Sequence, residues 1–583
     1  MEDKYRAVDE LMGKLALEQK VGQLFTQAFY GTLLVPDVIR TIKDLNAGGL
    51  RITQYFRGFR RYARAGESQE AFDTLSPGDM TPNLIDDRKD LLCKPPYLDI
   101  TRYAKLLDVV KQIEEDRPYH IPLHMMLDQE GGASFDCIRG GMRTFSSQFG
   151  YARRGNARLV REVARTVATQ LSAVGFNMIN SPVVDIVFDP SATYIATRSF
   201  GCGVEHVCEM ASAALAGYHE GGLIASAKHF PGRGATSTDP HHDVGAIDKS
   251  DQSLWDEDLA PYRRMIPEGL AAVMVGHSIY PAWDPDNLAS VSEKIIRGVL
   301  IERLGFEGII ATDSMIMGAI AKKYGVARAC VLSIKAGASA ILMKECGPIR
   351  EEAYRLAVEA ARNGEIGEDH IDRLLIRNLK AKVDRGLFGP TYRPDPTKAE
   401  RVVRSSRMER IETKAAKEAV HLVRDEAGLL PLSPQMRTLL IEEVPRMHIN
   451  ANDAYVHPGI FWEQILPHSD NVSLLEVEEN PTDEDMAKVE SYLPFYDGAI
   501  CTYYKNRNVL STTKIVDRLL QAGKKVVVVS IAPLPYDLPD HWPTVICTYG
   551  IMPPVLKLAA ELIYGKFKPL RARPRAAWEQ FVK

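Results

Sequence analysis

The sequence predicts an α/β protein with two domains: an N-terminal (β/α)8 barrel of the TIM type, and a C-terminal doubly wound α/β domain in which helices sandwich a sheet. Two observations lead to this fold class. Short apolar strand patterns alternate with amphipathic helical patterns, and the alternation stops at a proline-rich stretch and then resumes. Repeated βα units imply a parallel sheet, and eight of them before the break fit a closed barrel.

The first series contains eight strand patterns, with amphipathic helices such as 159–174 and 293–304 between them. The strands are predicted at Leu24–Phe29, Gly48–Thr53, Pro122–Asp128, Asn177–Asp185, Ala225–Phe230, Ala271–His277, Gly308–Asp313 and Ala338–Met343. We assign residues 1–389 to the barrel domain. The polar segment 55–103 interrupts the series, and because long structureless loops are uncommon inside compact domains, we expect it to form a lid or rim with some local structure.

Residues 390–403 are predicted to link the two domains. The run Pro390-Thr-Tyr-Arg-Pro-Asp-Pro-Thr397 places three prolines among polar residues, which favours an extended linker. A charged helix over 404–425 then opens the second domain, 404–583. Its strands are predicted near Thr438–Val444, Val472–Val477, Gly498–Tyr503, Lys525–Ile531 and Thr544–Tyr549. This domain lacks a G-x-G-x-x-G or Walker-type loop, so nothing indicates a nucleotide site.

Composition narrows the class of partner and the cellular compartment. The formal net charge of −4 over 583 residues gives no electrostatic case for binding nucleic acid or an anionic membrane. The N-terminus lacks an apolar signal region, and no stretch approaches the roughly 20 apolar residues that span a bilayer. The eight cysteines are scattered without C-x-x-C spacing, which is typical of reduced thiols. We therefore expect a cytoplasmic protein without structural zinc.

Strongly polar residues follow the predicted barrel strands, where barrel enzymes place their active sites. Asp128 and Glu130 follow one strand, Lys228 and His229 end another, and Asp313 ends an apolar, β-branched one. A charge at the end of such a strand is costly unless it faces a polar cavity. The alternative is that Asp313 caps a following helix at 315–322.

These residue types suit the cleavage of an acetal. Glycoside hydrolysis needs a carboxylate at the anomeric carbon and a proton donor for the leaving oxygen. A histidine can donate that proton when a carboxylate orients its ring. Asp239 and His241, two residues apart in one loop, have this composition, although surface loops contain many such pairs.

The chain resembles family 3 of the glycoside hydrolases, and within it the β-N-acetylhexosaminidase branch. The branch has a loop Lys-His-Phe-Pro-Gly-His-Gly followed by Asp-Ser-His, and here the loop is Lys228-His-Phe-Pro-Gly-Arg-Gly234 followed by Asp239-Pro-His241. The other matching motifs are Asp128-Gln-Glu-Gly-Gly132, Pro182-Val-Val-Asp185, Arg198-Ser-Phe-Gly201, Leu304-Gly-Phe-Glu-Gly308 and Thr312-Asp-Ser-Met315. In the second domain, residues 419–432 resemble the entry to the family's α/β sandwich.

The resemblance implies a retaining, two-step exo-β-glycosidase, a β-N-acetylglucosaminidase in the first instance. Asp313 matches the nucleophile, His241 the general acid/base and Asp239 its dyad partner. The residues that match sugar-binding positions are Asp128, Arg198, Lys228 and His229. The implied partner is a small carbohydrate, and no cofactor or metal is implied. The second domain is expected to be structural or to form a rim of the cleft.

Three departures from the branch bear on the substrate. Ala133 stands where the branch has arginine, and Arg139 is the candidate to replace it; Arg233 replaces the second histidine of the loop, and Pro240 separates the dyad residues. Several alternatives stay open. The dyad could be His242 and Asp243, the sugar could be N-acetylgalactosamine, glucose or xylose, and the reaction could be phosphorolysis. Other classes are a metal-dependent hydrolase using His229, His241, His242 and Asp243, and a non-catalytic sugar-binding barrel.

Overall fold

The structure is a computed structural model of the 583-residue chain. It describes residues 2–30, 34–53, 100–132, 138, 141–189, 192, 194–238, 244–344, 348–389, 393–444, 459–478, 480–504, 512–531 and 538–570. Most of the predicted lid segment and three predicted site residues, Arg139, Asp239 and His241, lie outside these ranges. The alternative dyad of His242 and Asp243 lies outside them as well.

The first part of the chain forms an eight-stranded parallel barrel, as predicted. Its strands are β1 (Phe25–Tyr30), β2 (Gly49–Thr53), β3 (His124–Leu127), β4 (Met178–Ile179), β5 (Ile224–Phe230), β6 (Ala272–Val275), β7 (Ile309–Thr312) and β8 (Ile341–Met343). Consecutive strands pair from β1 to β7, and β8 pairs with β1. One bridge between Ala311 and Ala340 joins β7 to β8 and closes the ring. Strands buried on both faces explain the near-continuous apolar runs in the sequence.

Helices surround the barrel and are held by a continuous apolar core. They comprise Arg6–Met12, Leu17–Gly22, Pro36–Lys43, Ile100–Glu115, Gln148–Ala152, Ala157–Val174, Val204–Glu220, Ala260–Met265, Gly318–Tyr324, Val326–Ala336, Pro348–Arg362 and Glu368–Asp384. A π-helix occupies Lys294–Arg303, where an amphipathic helix was predicted. The helix after β7 begins at Gly318 with Met317 as its N-cap, so Asp313 does not cap it.

The second part of the chain forms a six-stranded sheet. Its strands are β9 (His421–Asp425), β10 (Thr438–Val444), β11 (Val472–Glu478), β12 (Gly498–Tyr503), β13 (Lys525–Ser530) and β14 (Thr544–Cys547), in the order β9-β14-β13-β12-β10-β11. All pairings are parallel except that of β9 with β14. The helices of this part are Ile460–Ile465, Asp483–Tyr492, Thr513–Gln521 and Pro553–Ile563.

One element of the second part was predicted incorrectly. The charged helix expected over 404–425 ends at Ala419, and β9 follows it as an antiparallel edge strand. The residues of β9, His421-Leu-Val-Arg-Asp425, are half-buried and lack the long apolar run that identified the other strands. An edge strand with one paired side tolerates this composition.

The stretch predicted as an extended linker passes into a helix at Pro396. Helix Pro396–Val403 begins with a proline, which fits the first turn, and Ala399 belongs to the barrel core. The next helix, Ser406–Ala419, contributes Ala415 to that core and Ala416 and Ala419 to the core of the second sheet. The division of the chain at 389 and 404 stays a prediction.

The second sheet also contacts the barrel through the turn after β14. The Ser147 amide donates to the Tyr549 carbonyl at 3.0 Å, and the ring of Tyr549 packs edge-on against Phe149. A Cβ atom on Gly550 would lie 2.9 Å from the Cα atom of Gly132. Gly132 is the last residue of the motif Asp128-Gln-Glu-Gly-Gly132, so this turn supports one of the motifs singled out in the sequence.

We predict that Gly550→Ala lowers the free energy of unfolding by about 1–3 kcal/mol, because the new methyl group overpacks a backbone-to-backbone contact. Gly298→Ala is the matched control, since a Cβ atom there would meet nothing within 4 Å. Urea unfolding of both variants measures the difference. Equal stabilities of the two variants would contradict a tight contact at Gly132.

Among the described residues, no helix combines the length and apolar character needed to cross a bilayer.

Candidate active site

The carboxyl ends of the barrel strands bring five of the predicted site residues together: Asp128, Arg198, Lys228, His229 and Asp313. Lys228 and His229 lie within β5, which extends to Phe230, and Asp313 directly follows β7. Apart from Arg198, each of these residues is at most 7% exposed. The site is therefore a buried cluster of polar side chains at the strand ends, which we call the pocket.

Lys228 joins two carboxylates on one side of the pocket. Its Nζ atom lies 3.1 Å from Asp128 Oδ1 and 2.6 Å from Glu130 Oε1. Arg198 donates two hydrogen bonds to Glu130, from Nε to Oε2 at 2.8 Å and from Nη2 to Oε1 at 3.0 Å. Such bidentate pairing fixes orientation as well as charge. Burial alone would raise the pKa of Glu130, but Arg198 and Lys228 lower it to about 2.

Two further cations contact Asp128. Arg51, at 1% exposure in the middle of β2, donates to Oδ2, and Lys344, directly after β8, has its Nζ atom 3.8 Å from the same oxygen. Burial opposes ionisation, yet Lys228, Arg51 and Lys344 hold the pKa of Asp128 well below its ordinary value. An ionised Asp128 is an acceptor for sugar hydroxyls.

His229 is oriented by Asp185, which follows β4. Nδ1 of His229 lies 2.7 Å from Asp185 Oδ2, and the backbone amide of His229 donates to the same oxygen at 3.2 Å. Burial and then the nearby Arg233 lower the pKa of His229 to about 4, so the ring is neutral at pH 7. With Nδ1–H donating to Asp185, Nε2 is left as an acceptor that faces the pocket.

Asp313 faces that pocket from the end of β7. Its Oδ1 atom accepts from the Ser314 amide at 2.7 Å, and its Oδ2 atom lies 3.3 Å from Arg233 Nη1 and 3.8 Å from His229 Nε2. Burial would raise the pKa of this carboxyl, but the surrounding cations hold it well below its ordinary value. His229, whose pKa is about 4, is protonated at the low pH where Asp313 titrates and lowers the pKa of Asp313 most, followed by Lys344, His277 and Arg233. Asp313 is therefore an ionised carboxylate in a buried setting.

A histidine positions the backbone next to Asp313. His277, which follows β6, donates from Nε2 to the Ser314 carbonyl at 3.0 Å and accepts at Nδ1 from the Ser290 hydroxyl at 2.8 Å. His277 is fully buried. Both ring nitrogens thus have neutral partners, which fixes the strand end that carries Asp313.

The lowered carboxyl pKa values predict a specific loss of stability in acid. Below about pH 4.3, the ordinary pKa of a glutamate, Glu130 takes up a proton in the unfolded chain but not in the folded one until about pH 2. The unfolded state therefore binds more protons in this window, and the free energy of unfolding falls as the pH falls, by about 3 kcal/mol for Glu130 alone. Urea unfolding between pH 7 and pH 3, over which Glu130 accounts for about 2 kcal/mol of this loss, measures the slope. A Glu130→Gln variant with an unchanged slope would contradict it.

The sequence did not single out four contributors as site residues: Arg51, Glu130, Asp185 and Lys344. A signal existed for two of them. Arg51 interrupts the apolar strand Gly49-Leu-Arg-Ile-Thr53, and Lys344 directly follows the apolar strand Ile341-Leu-Met343. Glu130 and Asp185 lie in motifs that were recognised, but their partners come from distant parts of the chain. Among the described residues, no group of three or more His, Cys, Asp or Glu residues is arranged to hold a metal ion.

Comparison with known proteins places this geometry in a family. Residues 94–381 match the model of the glycosyl hydrolase family 3 N-terminal domain. A beta-hexosaminidase of Nitrosomonas eutropha is 34% identical over 229 residues, which are 38% of this chain and 65% of the relative. The beta-hexosaminidase LpqI of Mycobacterium tuberculosis is 30% identical over 264 residues, which are 44% of this chain and 67% of the relative.

A solved structure extends the likeness over both sheets. The glycoside hydrolase family 3 beta-N-acetylglucosaminidase of Paenibacillus sp. str. FPU-7 superposes with a TM-score of 0.78 and 25% identity, over 95% of this chain and 98% of that one. The curated relatives, by contrast, are matched over only about two thirds of their length or less. The family model, the relatives and the shared two-part architecture agree. This chain belongs to glycosyl hydrolase family 3.

Proposed function

We propose that this protein is a retaining exo-β-glycosidase that removes a terminal β-linked N-acetylglucosamine. The observation that carries the proposal is the placement of Asp313, an ionised, buried carboxylate at the end of β7. It faces the same pocket as His229, and close by lies the ionised network of Asp128, Glu130, Lys228 and Arg198. A nucleophilic carboxylate beside donors and acceptors for hydroxyl groups is what glycoside cleavage requires.

In the proposed first step, Asp313 attacks the anomeric carbon while the bond from that carbon to the leaving oxygen breaks. His241, oriented by Asp239, donates the proton that the leaving oxygen takes up. In the second step, His241 accepts a proton from water, the water oxygen attacks the anomeric carbon, and the bond to Asp313 breaks. Two displacements at one carbon retain its configuration. The roles of His241 and Asp239 rest on the family motif.

The remaining groups are proposed to bind the sugar. Ionised Asp128 accepts from hydroxyl groups, Lys228 and Arg198 donate to them, and Nε2 of His229 accepts. Arg139 is proposed to donate a hydrogen bond to the sugar, in place of the arginine that the branch has earlier in the loop. The name of the Paenibacillus structure, a beta-N-acetylglucosaminidase, favours N-acetylglucosamine. A 29% identical relative from Cellulomonas fimi, a beta-N-acetylglucosaminidase/beta-glucosidase, makes glucose the second candidate.

A substrate panel tests the proposal. The protein is incubated with nitrophenyl β-glycosides of N-acetylglucosamine, N-acetylgalactosamine, glucose and xylose, each with and without phosphate. We expect release of nitrophenol from the N-acetylglucosaminide and a β-configured first product in water. Acceleration by phosphate with formation of a sugar 1-phosphate would instead identify a phosphorylase. Binding of sugars without any release would indicate a non-catalytic barrel.

His241→Ala separates the acid role from other roles. We expect it to lower kcat/KM by about 100-fold or more for substrates whose leaving group needs protonation, a typical contribution of general acid catalysis. Substrates with a dinitrophenyl leaving group are expected to lose far less. Steady-state kinetics on both classes measures the split. Equal losses on the two classes would contradict the assignment of His241 as the acid.

A further inference from the structure

Arg233 is the loop residue at which this chain departs from its family, and it contacts the carboxylate of Asp313. Its Nη1 atom lies 3.3 Å from Asp313 Oδ2, and the residue is 1% exposed. Its Nε atom is buried and has no hydrogen-bond partner among the residues that the structure describes. An arginine remains protonated at every pH at which the enzyme is folded, so this contact places a permanent positive charge next to the reacting carboxylate.

The surroundings hold Arg233 in this position. Its amide donates to Asp185 Oδ1 at 2.8 Å, and its carbonyl accepts from the Tyr194 hydroxyl at 2.7 Å. The guanidinium carbon lies 5.1 Å from the centroid of the Tyr194 ring, a cation–π distance. A Cβ atom on Gly276 would lie 2.9 Å from Arg233 Cδ, so the glycine makes room for the long side chain. These contacts thus hold the guanidinium in a defined position within the pocket.

Arg233 is also the cation that contacts Asp313 directly. The titratable and charged groups that face this carboxylate from the surrounding elements are Arg198, His229, Arg233, His277 and Lys344. Neutral His229 adds no charge at pH 7, and His277 is held between two neutral partners. Lys344 contacts Asp128, and Arg198 is engaged by Glu130. Arg233 alone among these cations forms an ion pair with Asp313.

We propose that Arg233 is a catalytic residue that sets the balance between the two chemical steps: it weakens Asp313 as a nucleophile and improves it as a leaving group. The proposal rests on the proposed function. A guanidinium stabilises the carboxylate more than the neutral ester that the carboxylate becomes, because the ester carries no net charge. The same interaction therefore opposes formation of the glycosyl-enzyme and favours its breakdown.

The bonds and charges balance in both steps. In the first, an oxygen of Asp313 supplies an electron pair to the anomeric carbon, and the leaving oxygen departs with the bonding pair and a proton from the general acid. In the second, water supplies the new bond and gives its proton to the general base, and the ester bond pair returns to Asp313. Arg233 regains its full ion pair at this moment. No oxidant, reductant or additional co-reactant takes part.

Arg233→Met tests the proposal, because it keeps an unbranched side chain and removes the charge. Stopped-flow kinetics on the best nitrophenyl substrate gives the rate constants of both steps. We expect the ratio of deglycosylation to glycosylation to fall by about tenfold or more, with a burst of nitrophenol. The acid limb of kcat/KM is expected to move up by about 1 pH unit or more, since a charge at this distance lowers a carboxyl pKa by about 1–3 units.

Arg233→His restores the residue of the family loop and replaces the permanent charge by a group that is neutral in alkaline buffer. Measured there, it is expected to change the ratio in the same direction, and it decides the question if the methionine variant does not fold. Arg350→Lys is the control for altering a buried arginine, since Arg350 pairs with Asp37, an aspartate outside the pocket. It is expected to leave the ratio and the acid limb unchanged. Equal slowing of both steps in the Arg233 variants, with an unmoved acid limb, would overturn the proposal. Absence of turnover in the unaltered protein would instead defeat the proposed function.

Discussion

Asp313→Ala is expected to lower kcat/KM by about four orders of magnitude or more, because the reaction loses the group that forms the covalent intermediate. The other carboxylates described in the pocket are held by closer contacts than the 3.3 Å between Arg233 and Asp313: Asp128 by Lys228 at 3.1 Å, Glu130 by Arg198 at 2.8 Å and Asp185 by His229 at 2.7 Å. Steady-state kinetics with an activated nitrophenyl substrate measures the loss. Added azide is expected to restore part of the rate and to yield an α-glycosyl azide, since the anion enters from the face that Asp313 vacates.

Asp284→Ala is the matched control for this loss. Asp284 is another buried aspartate, but it lies in the strand Asp284–Leu288 of a three-stranded sheet separate from the barrel sheet, and it accepts hydrogen bonds from Ser292 and Asn287. We expect this variant to lose stability and to retain kcat/KM within about tenfold when it is folded. Comparable losses in both variants, without azide rescue of Asp313→Ala, would contradict the assignment of Asp313 as nucleophile.

Lys228→Met is expected to lower the free energy of unfolding by about 3 kcal/mol or more, the cost of breaking a buried ion pair by removing one partner. Lys228 bridges Asp128 and Glu130. Burial alone would lower the pKa of Lys228, but the two carboxylates raise it above its ordinary value. The loss of a charged donor to the sugar is expected to lower kcat/KM by about 100-fold in addition. Urea unfolding at pH 7 and steady-state kinetics measure the two effects.

A second buried lysine provides the comparison. Lys382 lies at the opposite end of the barrel, where its Nζ atom donates to Gln23 Oε1 at 3.1 Å and to the Gly48 carbonyl at 3.0 Å. Among the described residues no carboxylate contacts Lys382, so the substitution Lys382→Met leaves no buried charge without its partner. We expect a stability loss less than half as large and no change in kcat/KM. Equal stability losses in the two variants would contradict the importance of the carboxylate bridge.

The barrel could be predicted because its physical signals are local. Each strand is a short apolar run buried on both faces. The polar residues at the carboxyl ends of all strands face one pocket, independently of how the outer helices pack. Asp128, Lys228, His229 and Asp313 were found for this reason. Arg51 and Lys344 carry the same signal, a charge inside or directly after an apolar strand, and could have been included.

The remaining features depend on contacts between distant residues. Whether Arg233 points to solvent or to Asp313 is decided by the small Gly276 and by the ring of Tyr194, and none of these pairings has a local pattern. Strand β9 was missed because its half-buried residues show no apolar run, and it becomes a strand only by pairing with β14. The approach of Gly550 to Gly132 is equally a product of tertiary packing.

The most direct test of the mechanism is to trap the glycosyl-enzyme with a slow fluorosugar and to locate the label by peptide mass mapping. We expect one sugar per chain, bound through an ester to Asp313, and no labelling of the Asp313→Ala variant. A label on a different carboxylate, or rapid turnover with no covalent adduct under the same conditions, would contradict Asp313 as the nucleophile.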